Sequence, residues 1–223
     1  MIQYIKMTFK LSPSALNLFG ECQRCFWLNK HKVWTRPSTP FPQLPNGMDR
    51  VIKIHFDKFR DRGELPPEIK NHHHTKGLKL FDNVELLNVW RNNKKGIAWW
   101  DKNENILMGA VDNVLMKGKK LIVLDYKTKG FPLKDETEAG NTYQNQLDFY
   151  NLLLQKNGYE TEDYAFLLFY YPKEVMETGE VVFDSVLARR EINVKNAQKI
   201  FDRAIKLLNS ECPQKSCGWC EGK

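Results

Sequence analysis

An unbroken run of eight apolar residues, Tyr164 to Tyr171 (YAFLLFYY), ends at Pro172. A strand with one wet face alternates polar and apolar side chains. This one does not, so it is expected at the centre of a sheet covered on both faces. Two further β-branched runs, Ile106 to Met116 and Lys120 to Lys127, flank Lys117-Gly118-Lys119, a hairpin signature. Val181 to Ile192 reads as another strand. Helical periodicity covers Thr142 to Gln155 and Asn193 to Leu208, the latter with Ala197, Ile200, Phe201, Ala204, Ile205 and Leu208 as its apolar stripe. Near the start, Ser12-Pro13-Ser14 opens a helix with a cap residue and a first-turn proline. Leu16, Phe19, Cys22 and Phe26 then follow at helical spacing, and Met48 to Phe59 reads as a second helix. The proline-rich stretch Arg36 to Pro45 is expected to be a loop, and so is the polar stretch holding His72-His73-His74, although histidines can bind metal. Helices, hairpin, helix, strand, strand and helix, in that order, predict an α/β fold: a mixed central β-sheet flanked by helices.

At 223 residues the chain is long enough for one well-buried core, and one domain over 1–223 is expected. No apolar run approaches the length of a membrane span, and Met1 to Lys6 starts no leader-like segment, so the expected location is cytoplasmic, away from membranes. No GxxxxGK[ST] motif occurs, which excludes a phosphate-loop motor. The formal charge is +7, from 34 basic and 27 acidic residues. A basic surface favours polyanions, because each neutralised phosphate releases counterions.

The chemistry concentrates in the hairpin. Asp125 ends an apolar strand (LIVLD), where a carboxylate is costly unless paired or ligating. Lys127 lies two residues on, so both side chains share a strand face and Tyr126 points the other way. Asp112, in Gly109-Ala110-Val111-Asp112 on the antiparallel partner, can reach the same patch. Two carboxylates can hold a hard cation such as Mg²⁺ or Mn²⁺, and a lysine beside it can orient or deprotonate water. Gln146 and Tyr150 in the next helix are four apart and can address one site. Basic residues Lys129, Lys134, Arg189 and Arg190 could meet phosphates, or simply form a solvated face. Trp99 and Trp100 could stack on bases, or pack at the rim.

Five cysteines lie at the two ends: Cys22 and Cys25, then Cys212, Cys217 and Cys220. In a reducing compartment such groups read as metal ligands rather than disulfides. Five thiols compete for four places. One set is Cys22, Cys212, Cys217 and Cys220; the other replaces Cys212 by Cys25, giving two CxxC pairs. Four thiolates suit structural zinc and [4Fe-4S] equally.

The ordered motifs GAVD, LDYK and QLDFY resemble the PD-(D/E)xK nuclease superfamily in its RecB-like branch. The opening Leu11-Ser12-Pro13-Ser14-Ala15-Leu16, with Cys22-Gln23-Arg24-Cys25-Phe26-Trp27-Leu28, is similar to that branch's start, with Gln23 in place of the usual proline. The closing Cys217-Gly218-Trp219-Cys220 is similar to its terminal CxxC, as in the small CRISPR-associated RecB-like exonucleases. The resemblance implies a restriction-endonuclease-like sheet, with 106–171 as catalytic core and 11–35 and 193–223 forming the cysteine portion. It implies a Mg²⁺- or Mn²⁺-dependent DNA nuclease, of exonuclease type, acting on single-stranded DNA or single-stranded ends. Repair, recombination or CRISPR adaptation, with protein partners from such a complex, are the implied settings. Asp112, Asp125, Lys127, Gln146 and Tyr150 are the implied catalytic residues. His55, Asp112, Asp125 and the Tyr126 carbonyl are the implied cation ligands, His55 standing for the family's early-helix histidine after a glycine. Cys22, Cys212, Cys217 and Cys220 are the implied [4Fe-4S] ligands, with Cys25 as alternative to Cys212 and zinc as alternative metal. The competing reading is a non-catalytic DNA-binding subunit with a structural zinc or iron–sulfur centre.

Overall fold

The computed structural model describes residues 7–37, 43–133, 138 and 142–223. Its elements run β1 (Lys10–Leu11), α1 (Pro13–Glu21), α2 (Gln23–Lys30), α3 (Gln43–Arg60), α4 (Pro67–Lys70), β2 (Lys79–Leu80), α5 (Val84–Trp90), β3 (Ile97–Trp100), β4 (Ile106–Gly109), β5 (Asn113–Lys117), β6 (Lys120–Thr128), α6 (Gln144–Lys156), β7 (Tyr164–Val175), β8 (Val181–Glu191) and α7 (Val194–Leu208).

Five strands form the main sheet in the order β2-β5-β6-β7-β8. The β5–β6 pair is antiparallel, closed by Gly118-Lys119 with Lys117 opposite Lys120; Gly118 takes the positive φ of 59° that this tight turn requires. The β6–β7 pair is parallel, with α6 as its connection, and β8 returns antiparallel to β7. This is the mixed, helix-flanked sheet expected of a restriction-endonuclease-like fold. The YAFLLFYY run lies in β7, inside the sheet and buried on both faces. Phe166 and Leu168 pack with Ile52 and Phe56 of α3, while Leu167 and Phe169 pack with Leu147, Phe149 and Leu153 of α6. The strand continues through Pro172 to Val175, where a register shift between Pro172 and Glu174 absorbs the missing N–H.

Three expectations are corrected. The run Ile106 to Met116 is two strands rather than one. At Ala110–Asp112 the backbone leaves the ladder and is held by α5: Val111 N–H donates to Trp90 O (3.2 Å) and Arg91 Nε to Asp112 O (2.8 Å). β4 therefore joins a second, three-stranded sheet, β1-β4-β3, and only β5 belongs to the main one. The periodic stretch Leu16 to Phe26 is also two helices. Cys22 adopts extended backbone, donating its N–H to Leu18 O (2.9 Å) to end α1 and accepting Cys25 N–H at its sulfur to start α2. Finally, α3 begins at Gln43, with Pro45 in its first turn, where a missing N–H costs nothing. Pro40 and Pro42 of the expected loop lie outside the described residues.

Among the described residues no helix is long and apolar enough to cross a membrane.

Candidate active site

Alternation along β6 divides its side chains between two cores. Ile122, Leu124 and Tyr126 face α3, and Tyr126 OH accepts from Asn113 Nδ2 (2.6 Å). Val123 faces α6, and on that side Asp125 is 1 % exposed. Lys127, two residues on, forms an ion pair with Asp125 and donates to Gln146 Oε1 (3.1 Å). Gln146 Nε2 in turn donates to Tyr150 OH (2.7 Å). Asp125, Lys127, Gln146 and Tyr150 thus form one continuous polar chain between β6 and α6. Its far end fits because residue 109 is glycine: a Cβ there would lie 2.8 Å from a ring carbon of Tyr150.

Asp112 joins from the bend before β5. Its Oδ2 accepts Tyr126 N–H (2.9 Å) and its Oδ1 lies 3.0 Å from Lys53 Nζ. Lys53 also pairs with Asp49 (2.8 Å), one helical turn earlier on α3. Burial depresses the Lys53 ammonium, but Asp112 and Asp49 outweigh it and leave its pKa above the ordinary lysine value. Burial, and next the Asp112 charge, push the Asp125 carboxyl up to about 7, with Lys127 and Lys53 opposing. A buried carboxyl raised by a neighbouring acid, and an ammonium bridging Asp49 and Asp112, mark a place where a hard cation would be welcome.

Sequence reasoning missed Lys53 and Asp49, and with them the scaffold behind Asp112. Arg91 donates to Asp112 O and pairs with both oxygens of Asp57 (2.9 Å each); Arg60 pairs with Asp57 and reaches Asn113 Oδ1 (2.6 Å). The i, i+4 spacing of Asp49 and Lys53 was a signal, but one that usually means a surface ion pair.

The structure does not bring His55 to the carboxylates. Two residues beyond Lys53 is about 200° around the helix, and His55 Nε2 lies 2.9 Å from Glu68 Oε1, which also accepts from Tyr170 OH (3.0 Å). Lys129 lies over the Phe169 ring. Arg189 covers Tyr164 and pairs with Glu191 on the edge strand, and Lys134 is outside the described residues. Trp99 packs on Phe201, whereas Trp100 is exposed.

A cavity of about 560 Å³ opens beside Gln146 and Tyr150 and extends to Ser12 and Ser14 at the start of α1, with Lys10 and Lys30 in its wall. Burial lowers the Lys30 pKa, and its ammonium donates to Lys10 O (3.1 Å).

At the ends of the chain the sulfurs of Cys22, Cys25, Cys217 and Cys220 all lie within 4.8 Å of one another. Of the two sets open from sequence, the structure gathers the paired CxxC motifs. Cys212 is left out, because its sulfur faces Arg24, whose NH1 donates to it (3.5 Å).

The sequence model of the PD-(D/E)XK nuclease superfamily matches residues 43–223, most of the chain. The protein belongs to the PD-(D/E)XK nuclease superfamily. Asp112, just before β5, and Asp125 and Lys127, on β6, all lie within the matched span. Solved structures that match include one titled "Crystal structure of SSO0001", which is 14 % identical. That match covers 96 % of this chain and 83 % of the other, with a TM-score of 0.41, a likeness too distant to inform function. No curated protein matches the chain.

Proposed function

We propose that this PD-(D/E)XK protein is a RecB-like DNA nuclease. The observation that carries the reading is the convergence of Asp112, Asp125 and Lys127 with the Gln146–Tyr150 pair of α6. Asp112 and Asp125, with the Tyr126 carbonyl, are the proposed holders of Mg²⁺ or Mn²⁺. The bound cation supplies charge neutralisation at the phosphate and a lowered pKa for the attacking water. Lys127 positions that water and stabilises charge developing on the phosphate. Gln146 fixes the lysine head by accepting a hydrogen bond from it, and Tyr150 fixes Gln146. His55 has no part in this assignment.

The cavity supports a strand-shaped substrate. It meets the polar chain at Tyr150, and Lys10, Lys30, Ser12 and Ser14 offer it cationic and hydroxyl donors suited to a phosphate backbone. The proposed substrate is single-stranded DNA or frayed ends. Exonucleolytic trimming in repair or CRISPR adaptation is the matching class of task, carried out by one nuclease domain over 1–223.

The test is incubation of the full chain with end-labelled single- and double-stranded DNA, with and without Mn²⁺, beside Asp125→Ala and Lys127→Ala. Cation-dependent cleavage that falls by roughly 100-fold or more in both variants, with circular dichroism unchanged, is expected. DNA binding without cleavage by the wild-type chain would instead identify a non-catalytic subunit.

A further inference from the structure

The resemblance to the CRISPR-associated exonucleases brings a [4Fe-4S] expectation that the arrangement of the sulfurs allows to be tested. Cys22 and Cys220 sulfurs are 3.8 Å apart, Cys25 and Cys217 are 3.5 Å apart, and Cys217 and Cys220 are 3.8 Å apart. No pair among the four exceeds 4.8 Å. Four thiolates bound to one ion at about 2.3 Å sit at tetrahedral corners about 3.8 Å apart. A cubane instead gives each thiolate its own iron, and the iron–iron spacing drives the sulfurs apart to roughly 6 Å. The residues do not fit that group without moving the first helices away from the C-terminal segment.

We infer that Cys22, Cys25, Cys217 and Cys220 form a mononuclear tetrahedral site for zinc rather than an iron–sulfur cluster. The chain prepares such a site from both sides. The extended backbone of Cys22 between α1 and α2 lets its sulfur and that of Cys25 face the same point, with Cys25 N–H donating to Cys22 (3.5 Å). The terminal turn does the same for Cys217 and Cys220, with Cys217 N–H donating to Cys220 (3.3 Å). Two chelating pairs at right spacing make a closed site with no position for substrate, the pattern of structural zinc. Four thiolates on a divalent ion leave two negative charges, and Arg36, whose NH2 is 3.9 Å from the Cys217 sulfur, is placed to offset one. Leu18, Leu28, Trp27 and Trp34 pack around the thiols, and Cys25 and Cys220 are fully buried among them. Cys212 stands outside the ligand set.

Metal analysis of the anaerobically purified full chain is the test, and it does not depend on nuclease activity. One zinc per chain, no acid-labile sulfide and a colourless solution are expected. X-ray absorption at the zinc edge should show one sulfur shell near about 2.3 Å and no neighbouring metal. Cys212→Ser should keep the full zinc content, and Cys25→Ser should lose it. Stoichiometric sulfide with several irons, a single iron without sulfide, or zinc lost in Cys212→Ser would each overturn the assignment. Because the absorption measurement uses the wild-type chain, failure of Cys25→Ser to fold leaves the inference exposed to refutation.

Discussion

Lys53 Nζ stands 3.0 Å from one oxygen of Asp112 while the other oxygen holds the Tyr126 amide at 2.9 Å, so a single carboxylate ties α3 to β6 at the open end of the β5–β6 hairpin. The ammonium also reaches Asp49, and in neutralising both acids it competes with any divalent ion they attract. Lys53→Met should therefore tighten Mn²⁺ binding, by about tenfold, which is about 1.4 kcal/mol. It should also destabilise the metal-free protein by leaving the two acids opposed. Calorimetric Mn²⁺ titration reads the first effect. Weaker or unchanged affinity would show that Lys53 does not compete for the cation.

Asp125 makes stability depend on pH in a defined direction. Its folded carboxyl titrates at about 7, raised by burial and by Asp112, whereas an unfolded aspartate titrates near about 3.9. Between those values the folded chain holds the extra proton. The contribution of this group is therefore greatest at the acid end of the window and is lost as pH rises towards 7. In chelator, the urea midpoint of wild type relative to Asp125→Asn should fall between pH 5 and pH 7.5. A difference that stays flat, or rises, contradicts the raised pKa.

Gly109→Ala should damage the site more than the fold. The new methyl group would meet the Tyr150 ring at 2.8 Å and Leu153 at 3.3 Å. Overpacking of this kind costs about 1–3 kcal/mol, and the relief available is to push Tyr150 away from Gln146. Cleavage should drop several-fold even where thermal melting shows the protein folded. Full activity in a folded variant would dissociate Tyr150 from the reaction.

Gln146→Leu removes the acceptor that fixes Lys127 without touching the ion pair to Asp125. A positioning role predicts a fall in kcat of roughly tenfold with little change in KM, since an interaction that matters for the transition state is lost while ground-state binding survives. A rise in KM alone would move Gln146 to substrate binding.

Much of this was legible in the residues. β7 was readable because eight apolar side chains leave no wet face, and the shared face of Asp125 and Lys127 follows from the two-residue period of a strand. The Gln146–Tyr150 contact follows from helical spacing in the same way. What stayed hidden depended on distant partners. The split of the 106–116 run comes from Trp90 and Arg91 capturing the backbone at Val111 and Asp112, and the local pattern of apolar residues carries no trace of that. The short strands β1 and β2 owe their existence to their neighbours β4 and β5. His55 was placed by its position after a glycine, but the helix phase that turns Lys53 towards Asp112 turns His55 to Glu68. The choice between Cys25 and Cys212 needed the orientation of Arg24.

The meeting of Cys22 with Cys220 spans 198 positions of sequence. Cys22 and Cys25 set the corner between α1 and α2, and Cys217 and Cys220 fasten that corner to the segment after α7. Ser12, Ser14 and Lys30, which wall the cavity beside Tyr150, flank or belong to those same two helices. Loosening the cysteine contact should therefore reshape the wall of the cleft at a distance from Asp112 and Asp125.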